Sequence, residues 1–237
     1  MAGPDPERAR RPLVIRLEGI VKTYGRNGAN VAALRGVDVA IAEGEFTAIM
    51  GRSGSGKSSL LHIIGLIDAE YEGCYWLDGK LVSGRTPEEL ADIRNHTIGF
   101  VFQSFFLLPQ LSILENAELP ALYARDRPPG ECRAVARARL EEMGLAHRLD
   151  HRPGELSIGQ RQRAAIARAL VNHPRVLLAD EPTGALDSRT ADEILDIFHR
   201  LHEGGATIVM VTHDPDVAGV AERVIHVRDG QTSDGLV

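Results

Sequence analysis

Apolar positions along this chain fall into two kinds of pattern, and their succession outlines a fold. Leu13-Val14-Ile15-Arg16-Leu17 alternates weakly and Val37 to Ile41 alternates again, the period of a half-buried strand. Phe46 to Met50, Val176 to Ala179 and Thr207 to Val211 are short continuous apolar runs, which predict buried strands, and Ile98 to Phe102 is a further short strand. Helical spacing follows several of them, from Lys57 to about Leu66, after Ser157 to about Val171, and from Ala191 to His202. Cys74 to Val82, broken at Asp78-Gly79, predicts a hairpin, and Gly25 to Asn30 (GRNGAN) a turn-rich loop. From Leu111 to about Leu149 the pattern is helical, rich in Arg, Ala and Glu, and interrupted at Pro128-Pro129-Gly130. Strands alternating with helices predict an α/β fold with a mostly parallel sheet flanked by helices. The strand-free stretch is a helical subdomain, about 104–160, inserted into that core.

Composition adds bounds rather than a direction. The chain has 237 residues, 43% hydrophobic and 25% charged, the balance of one large soluble α/β domain. A net charge of −6 and a pI near 5.9 argue against whole-molecule attraction to nucleic acid. Cys74 and Cys132 sit in unrelated contexts outside any C-x-x-C pair, so they read as reduced thiols. No apolar run approaches the length of a transmembrane helix, so work at a membrane requires another chain to hold this one there. Residues 1–12 carry Arg8, Arg10 and Arg11 with no apolar region after them and read as a disordered tail ahead of a domain at 13–237.

The chemistry concentrates in a few short segments. Gly51-Arg52-Ser53-Gly54-Ser55-Gly56-Lys57-Ser58 matches G-x-x-x-x-G-K-S between a predicted strand and a predicted helix. Its glycines allow backbone N–H groups to turn toward phosphate oxygens, and the helix N-terminus adds its dipole. Lys57 can reach the β- and γ-phosphates, Ser58 can ligate Mg²⁺, and Ser59 is placed to support the α-phosphate. Val176 to Ala179 delivers Asp180 and Glu181 to the carboxyl edge of the sheet, where ligands bind in such folds. Asp180 would hold Mg²⁺ through water, and Glu181 would polarise the water that attacks the γ-phosphate. Gln103 ends one strand, where its amide can touch metal and water. His213 ends another, where its imidazole can bond the γ-phosphate. Tyr24 stands before a turn and either stacks on adenine or faces solvent.

Leu156-Ser157-Ile158-Gly159-Gln160 opens a helix a little ahead of the Asp180-Glu181 strand. Ser157 and Gln160 satisfy the S-x-x-Q capping box. Gly159 would leave the open N–H groups of the helix end accessible to a phosphate. With the Ala185-Leu186-Asp187 turn, these motifs resemble the ATP-binding cassette (ABC) ATPases, P-loop NTPases with a small antiparallel β part. The resemblance covers about Leu13 to Gly230. It implies ATP and Mg²⁺ as ligands and catalytic roles for Glu181, His213 and Gln103. The metal would be held by Ser58, Gln103 and Asp180. ATP would be held by Tyr24, by the loop residues Gly51 to Ser59, and by Ser157, Gly159 and Gln160. In the family the last three act on the nucleotide of a second copy in a head-to-tail homodimer docked on an integral-membrane permease at the cytoplasmic face. Phe100 to Phe105, Leu108 to Asn116 and Leu119-Pro120 look like the branch of lipoprotein-release, macrolide-efflux and cell-division ATPases.

The function implied is ATP hydrolysis energising a permease for export or for lipoprotein or lipid extraction. The alternatives are a mechanotransmission ATPase without cargo and, disfavoured by the acidic balance, a soluble nucleic-acid-associated ATPase. Phe106 lies where the permease should dock, or is a core residue of the helical subdomain. Ile158 replaces the family's usual glycine; Ile is costly at positive φ but tolerated in a helix, and binding to the partner's ATP is nevertheless expected to be weaker.

Overall fold

A computed structural model of the chain describes residues 11–26, 29–124 and 127–236. In chain order the elements are β1 (Leu13–Arg26), β2 (Ala29–Ala42), β3 (Phe46–Met50), α1 (Lys57–Ile64), β4 (Glu72–Leu77), β5 (Lys80–Leu81), α2 (Pro87–Thr97) and β6 (Ile98–Val101). They continue with α3 (Ile113–Ala124), α4 (Pro129–Glu142), α5 (Ile158–Leu170), β7 (Val176–Asp180), α6 (Ser188–Glu203), β8 (Thr207–Thr212), α7 (Pro215–Ala218), β9 (Arg223–Arg228) and β10 (Gln231–Leu236). They form two compact units, one of residues up to Leu90 together with those from Leu201 onward, the other of Ala91–Arg200.

In the first unit, β3 runs parallel to both β8 and β9, and β10 closes antiparallel on β9. Phe46, Ala48 and Ile49 of β3 are fully buried and every residue of β8 is buried, which is why both read as unbroken apolar runs. A second sheet, in the order β2-β1-β4-β5, is antiparallel throughout. The β4–β5 turn holds Asp78 at φ 50° and Gly79 at φ 74°, the two positive dihedrals of a type I′ hairpin. Behind β4 the buried Tyr75 hydroxyl donates to the Ile64 carbonyl at 2.8 Å, fixing the end of α1.

The antiparallel strands are much longer than their alternation predicts, 14 residues each for β1 and β2. Gly25 and Arg26 pair with Asn30 and Ala29, so most of the predicted GRNGAN loop is strand; residues 27 and 28 lie outside the described residues. The register of β1 shifts between Leu17 and Ile20 and again near Lys22, and such bulges break the two-residue period that sequence reading relies on. Strands β9 and β10 also escape the pattern. Arg223, 5% exposed, opens β9 as a buried charge held by Glu45 Oε1 at 3.1 Å, by Asp234 and by the Ala40 carbonyl. Of the expected tail, residues 1–10 lie outside the described residues, while the Pro12 carbonyl accepts from Glu43 N–H at 2.8 Å.

In the second unit, β6 and β7 pair in parallel. Helices α3 and α4 lie in the stretch from Leu111 to about Leu149 expected to be helical, and α5 is the helix expected after Ser157. Ser112 and Glu115 form a capping box at the start of α3, and fully buried Asn116 clips the preceding chain by accepting from Leu108 N–H at 2.7 Å and donating to the Leu108 carbonyl at 3.1 Å. Helix α2 was not legible: Leu90 alone of its eleven residues is buried, so it lacks an apolar stripe.

Candidate functional site

Within the first unit, the loop between β3 and α1 is shaped by close approaches that only glycine allows. A β-carbon on Gly51 would lie 2.3 Å from the Val227 carbonyl oxygen, and one on Gly56, at φ 111°, 2.5 Å from that of Ala33. Gly54, at φ 77°, has nothing within 4 Å of its missing β-carbon, so the loop is open there. No side chain caps α1, which leaves its first N–H groups to the loop. Lys57 is buried, and its Nζ donates to the carbonyls of Gly51 at 2.8 Å and Arg52 at 3.0 Å, an ammonium held over the loop. The Ser55 hydroxyl is buried with no hydrogen-bond partner among the described residues, which fits a cradle whose remaining partner arrives with a phosphate. Arg52, Ser53 and Ser58 are exposed and Ser59 is half-buried.

Two further predicted residues belong to this unit. Met50 pairs with Thr212, so Gly51 and His213, the next residue of each strand, leave the same edge of the sheet side by side. Tyr24 lies in β1, 42% exposed, and its hydroxyl donates to Asp68 Oδ2 at 3.1 Å with Ser59 Oγ 3.3 Å away. Burial works to raise the Asp68 pKa, but hydrogen bonds from Lys22, the Glu70 N–H and Tyr24 outweigh it and hold the carboxyl below its ordinary value.

The second unit carries the acids and the signature. Val101 pairs with Ala179, so Gln103 and Glu181 follow, two residues on, from neighbouring strand ends. A β-carbon on Gly184 would lie 3.2 Å from Gln103 Nε2 and 3.6 Å from Glu181 Cβ, which places the amide and the acid around one turn. Glu181 adopts φ 46°, uncommon for a non-glycine residue, ahead of buried Pro182. The turn is gripped by fully buried Gln162 of α5, whose Nε2 donates to the Pro182 carbonyl at 2.8 Å.

At the signature, Ser157 Oγ accepts from Gln160 N–H at 3.3 Å and Gln160 Oε1 accepts from Ser157 N–H at 3.0 Å, the complete capping box. Ile158 is the first residue of α5, absent from the positive-φ positions and 43% exposed, so its backbone is relaxed. Gly159 is buried, and its bare α-carbon faces Thr190, a packing reason for glycine beside the access to phosphate expected of it. Asp187 caps α6: it accepts from Thr190 N–H at 3.0 Å and from Thr190 Oγ1 at 2.8 Å, and the backbone bond above all lowers its pKa.

Sequence reading did not single out the residues that hold these groups: Gln162, Asn116 and Arg168. The Arg168 guanidinium donates at 2.6 Å to each of the carbonyls of Phe105 and Phe106, just after Gln103, and burial lowers its pKa. Phe106 is 62% exposed and meets Phe102 edge-on at 5.0 Å, so it is not a core residue. Asn116 lies inside the Leu108 to Asn116 motif, where an amide near the start of a largely apolar helix is the available signal.

The ABC transporter family model matches residues 34–184, which include the phosphate loop, the signature and both acids. The chain belongs to the ABC transporter family. It is an ATP-binding cassette of that family, similar over 93% of its length, at 50% identity, to the macrolide export ATP-binding/permease protein MacB of Chlorobaculum tepidum. It spans about a third of that relative, 34% of its length. The cassette also matches the uncharacterized ABC transporter ATP-binding protein YvrO of Bacillus subtilis at 49% identity, over 92% of this chain and 95% of that one. Among solved structures, the dimeric ATP-binding cassette MJ0796 in a post-hydrolysis state with ADP and Pi superposes with TM-score 0.87 at 43% identity, covering 94% of this chain and 98% of that one. The fold expected from the family resemblance, and the branch that includes macrolide efflux, agree with these likenesses.

Proposed function

We propose that the cassette hydrolyses MgATP as a head-to-tail homodimer and so energises a separate integral-membrane permease from the cytoplasmic face, for export or for extraction of lipids or lipoproteins. The observation that carries the reading is the pairing of strand ends. Gly51 emerges beside His213, and Gln103 beside Glu181, as a phosphate loop with its γ-phosphate contact and an acid with its water-orienting amide require. The MacB relative, named for macrolide export, supports an export role, and the dimeric MJ0796 structure supports assembly in pairs. No helix among the described residues is long and apolar enough to cross a membrane, which agrees with attachment through a permease.

Each residue has a task in this reading. The loop N–H groups and Lys57 hold the β- and γ-phosphates, and Tyr24 stacks on adenine. Ser58, Asp180 and Gln103 are the residues that would hold Mg²⁺, which when bound neutralises developing phosphate charge. A hydroxyl and one carboxylate suit an ion that keeps its waters and shares phosphate oxygens, and the described residues contain no His, Cys, Asp or Glu cluster that would cage a metal alone. Glu181 accepts a proton from the attacking water, Gln103 orients that water, and His213 bonds the γ-phosphate. Ser157, Gly159 and Gln160 serve the nucleotide of the partner copy, so a lone chain turns over slowly.

Glu181→Gln keeps the shape of the acid and removes its basicity. With saturating MgATP this variant is expected to accumulate as a dimer in size-exclusion chromatography with light scattering. A variant that stays monomeric, both alone and with its permease, sinks the head-to-tail assembly.

A further inference from the structure

Tyr24 does not present its ring freely. Lys22 Nζ sits 4.8 Å from the ring centroid, and the lysine side chain is only 4% exposed. That ammonium donates to Asp68 Oδ1 at 2.7 Å and to the Glu70 carbonyl at 2.6 Å. Asp68 in turn accepts from the Tyr24 hydroxyl through Oδ2 at 3.1 Å and from the Glu70 N–H through Oδ1 at 3.0 Å. The tyrosine is therefore gripped at its hydroxyl and covered on one face by a cation, yet 42% of it remains exposed.

The arrangement is more than a buried ion pair in a sheet. A buried ammonium is costly unless its donors are satisfied, and this one spends a position over an aromatic face where an aliphatic side chain would pack without that cost. A cation on one face leaves the opposite face as the one a flat π-system can cover. Asp68 also donates its N–H to the His62 carbonyl at 3.2 Å, which ties the assembly to α1, the helix that opens at the phosphate loop. Tyr24 is thereby referenced to the same helix that carries Lys57 and Ser58.

We propose that Lys22 and Asp68 are positioning residues that back the Tyr24 ring and set the affinity of this cassette for the base of its nucleotide, leaving the grip on the triphosphate untouched. The inference rests on the reading of Tyr24 as the base-stacking residue. A ring already fixed in plane and direction loses little freedom when a base arrives, and loosening it makes that ordering part of the cost of binding.

The test compares binding of MgATP with binding of magnesium tripolyphosphate, which has no base, by the purified chain. Lys22→Met and Asp68→Asn are each expected to weaken MgATP roughly three- to tenfold and to leave tripolyphosphate unchanged. In a Tyr24→Ala background neither substitution should weaken MgATP further. Equal weakening of both ligands overturns the proposal, because the pair then acts through the phosphate loop or the fold at large. No weakening of MgATP, while Tyr24→Ala alone weakens it, overturns the proposal and spares the reading of Tyr24. Unchanged MgATP binding by Tyr24→Ala itself overturns both. If Lys22→Met fails to fold, the near-isosteric Asp68→Asn decides the question by the same criteria.

Discussion

Gly159 lets α5 and α6 touch: a β-carbon there would stand 2.5 Å from Thr190 Cγ2, closer than any packed pair tolerates. Thr190 cannot simply turn away, since its N–H and Oγ1 are both bonded to the Asp187 carboxylate. Gly159→Ala should therefore lower stability by about 1–3 kcal/mol through overpacking. Thr190→Ser removes the methyl and keeps the hydroxyl, so the double variant should recover most of the loss in denaturant unfolding. Failure of that rescue would show that the strain lies elsewhere.

Ile158 begins α5 in relaxed helical geometry with its side chain half outward. Ile158→Gly should leave the ATPase rate of the assembled complex unchanged or raise it. The same change should cost up to about 1 kcal/mol of stability from the flexibility of glycine. Steady-state phosphate release with the permease present checks the first part; a large loss of rate would mean that the isoleucine contributes to the partner's nucleotide.

Phe105 at φ 60° and Phe106 at φ 46° are consecutive left-handed residues, and each such residue costs about 1–2 kcal/mol. Arg168 offsets this with its two hydrogen bonds to their carbonyls. Arg168→Ala should lose roughly 1–3 kcal/mol and speed amide exchange across residues 104–108. Phe106→Gly in that background should restore part of the stability by relieving the backbone.

Asp68 has a folded-state pKa below its ordinary value near 3.8. Its stabilisation is then fully present above that ordinary value and fades as pH falls through the lowered one. The stability gap between the native chain and Asp68→Asn should be constant from about pH 7 to about pH 5 and shrink in more acid solution. Urea titrations across that range measure it; a gap that widens on acidification would reverse the sign assigned here.

What the chain's own pattern determined was local. Phe46 to Met50, Val176 to Ala179 and Thr207 to Val211 are buried on both faces, so their apolar runs read directly as strands, and the loop Gly51 to Ser58 and the cap Ser157 to Gln160 follow from chemistry within eight residues. Tertiary structure decided what depends on distant partners. The bulges of β1 obscured a long strand and the buried Arg223 a short one, β9, because a charge satisfied by Glu45 and Asp234 looks like a surface residue until those partners are brought to it. The same holds for the supports of the site. Lys22, Gln162 and Arg168 are ordinary polar residues in sequence. They acquire their roles only where folding excludes water and leaves each a single set of carbonyls or carboxylates to bond.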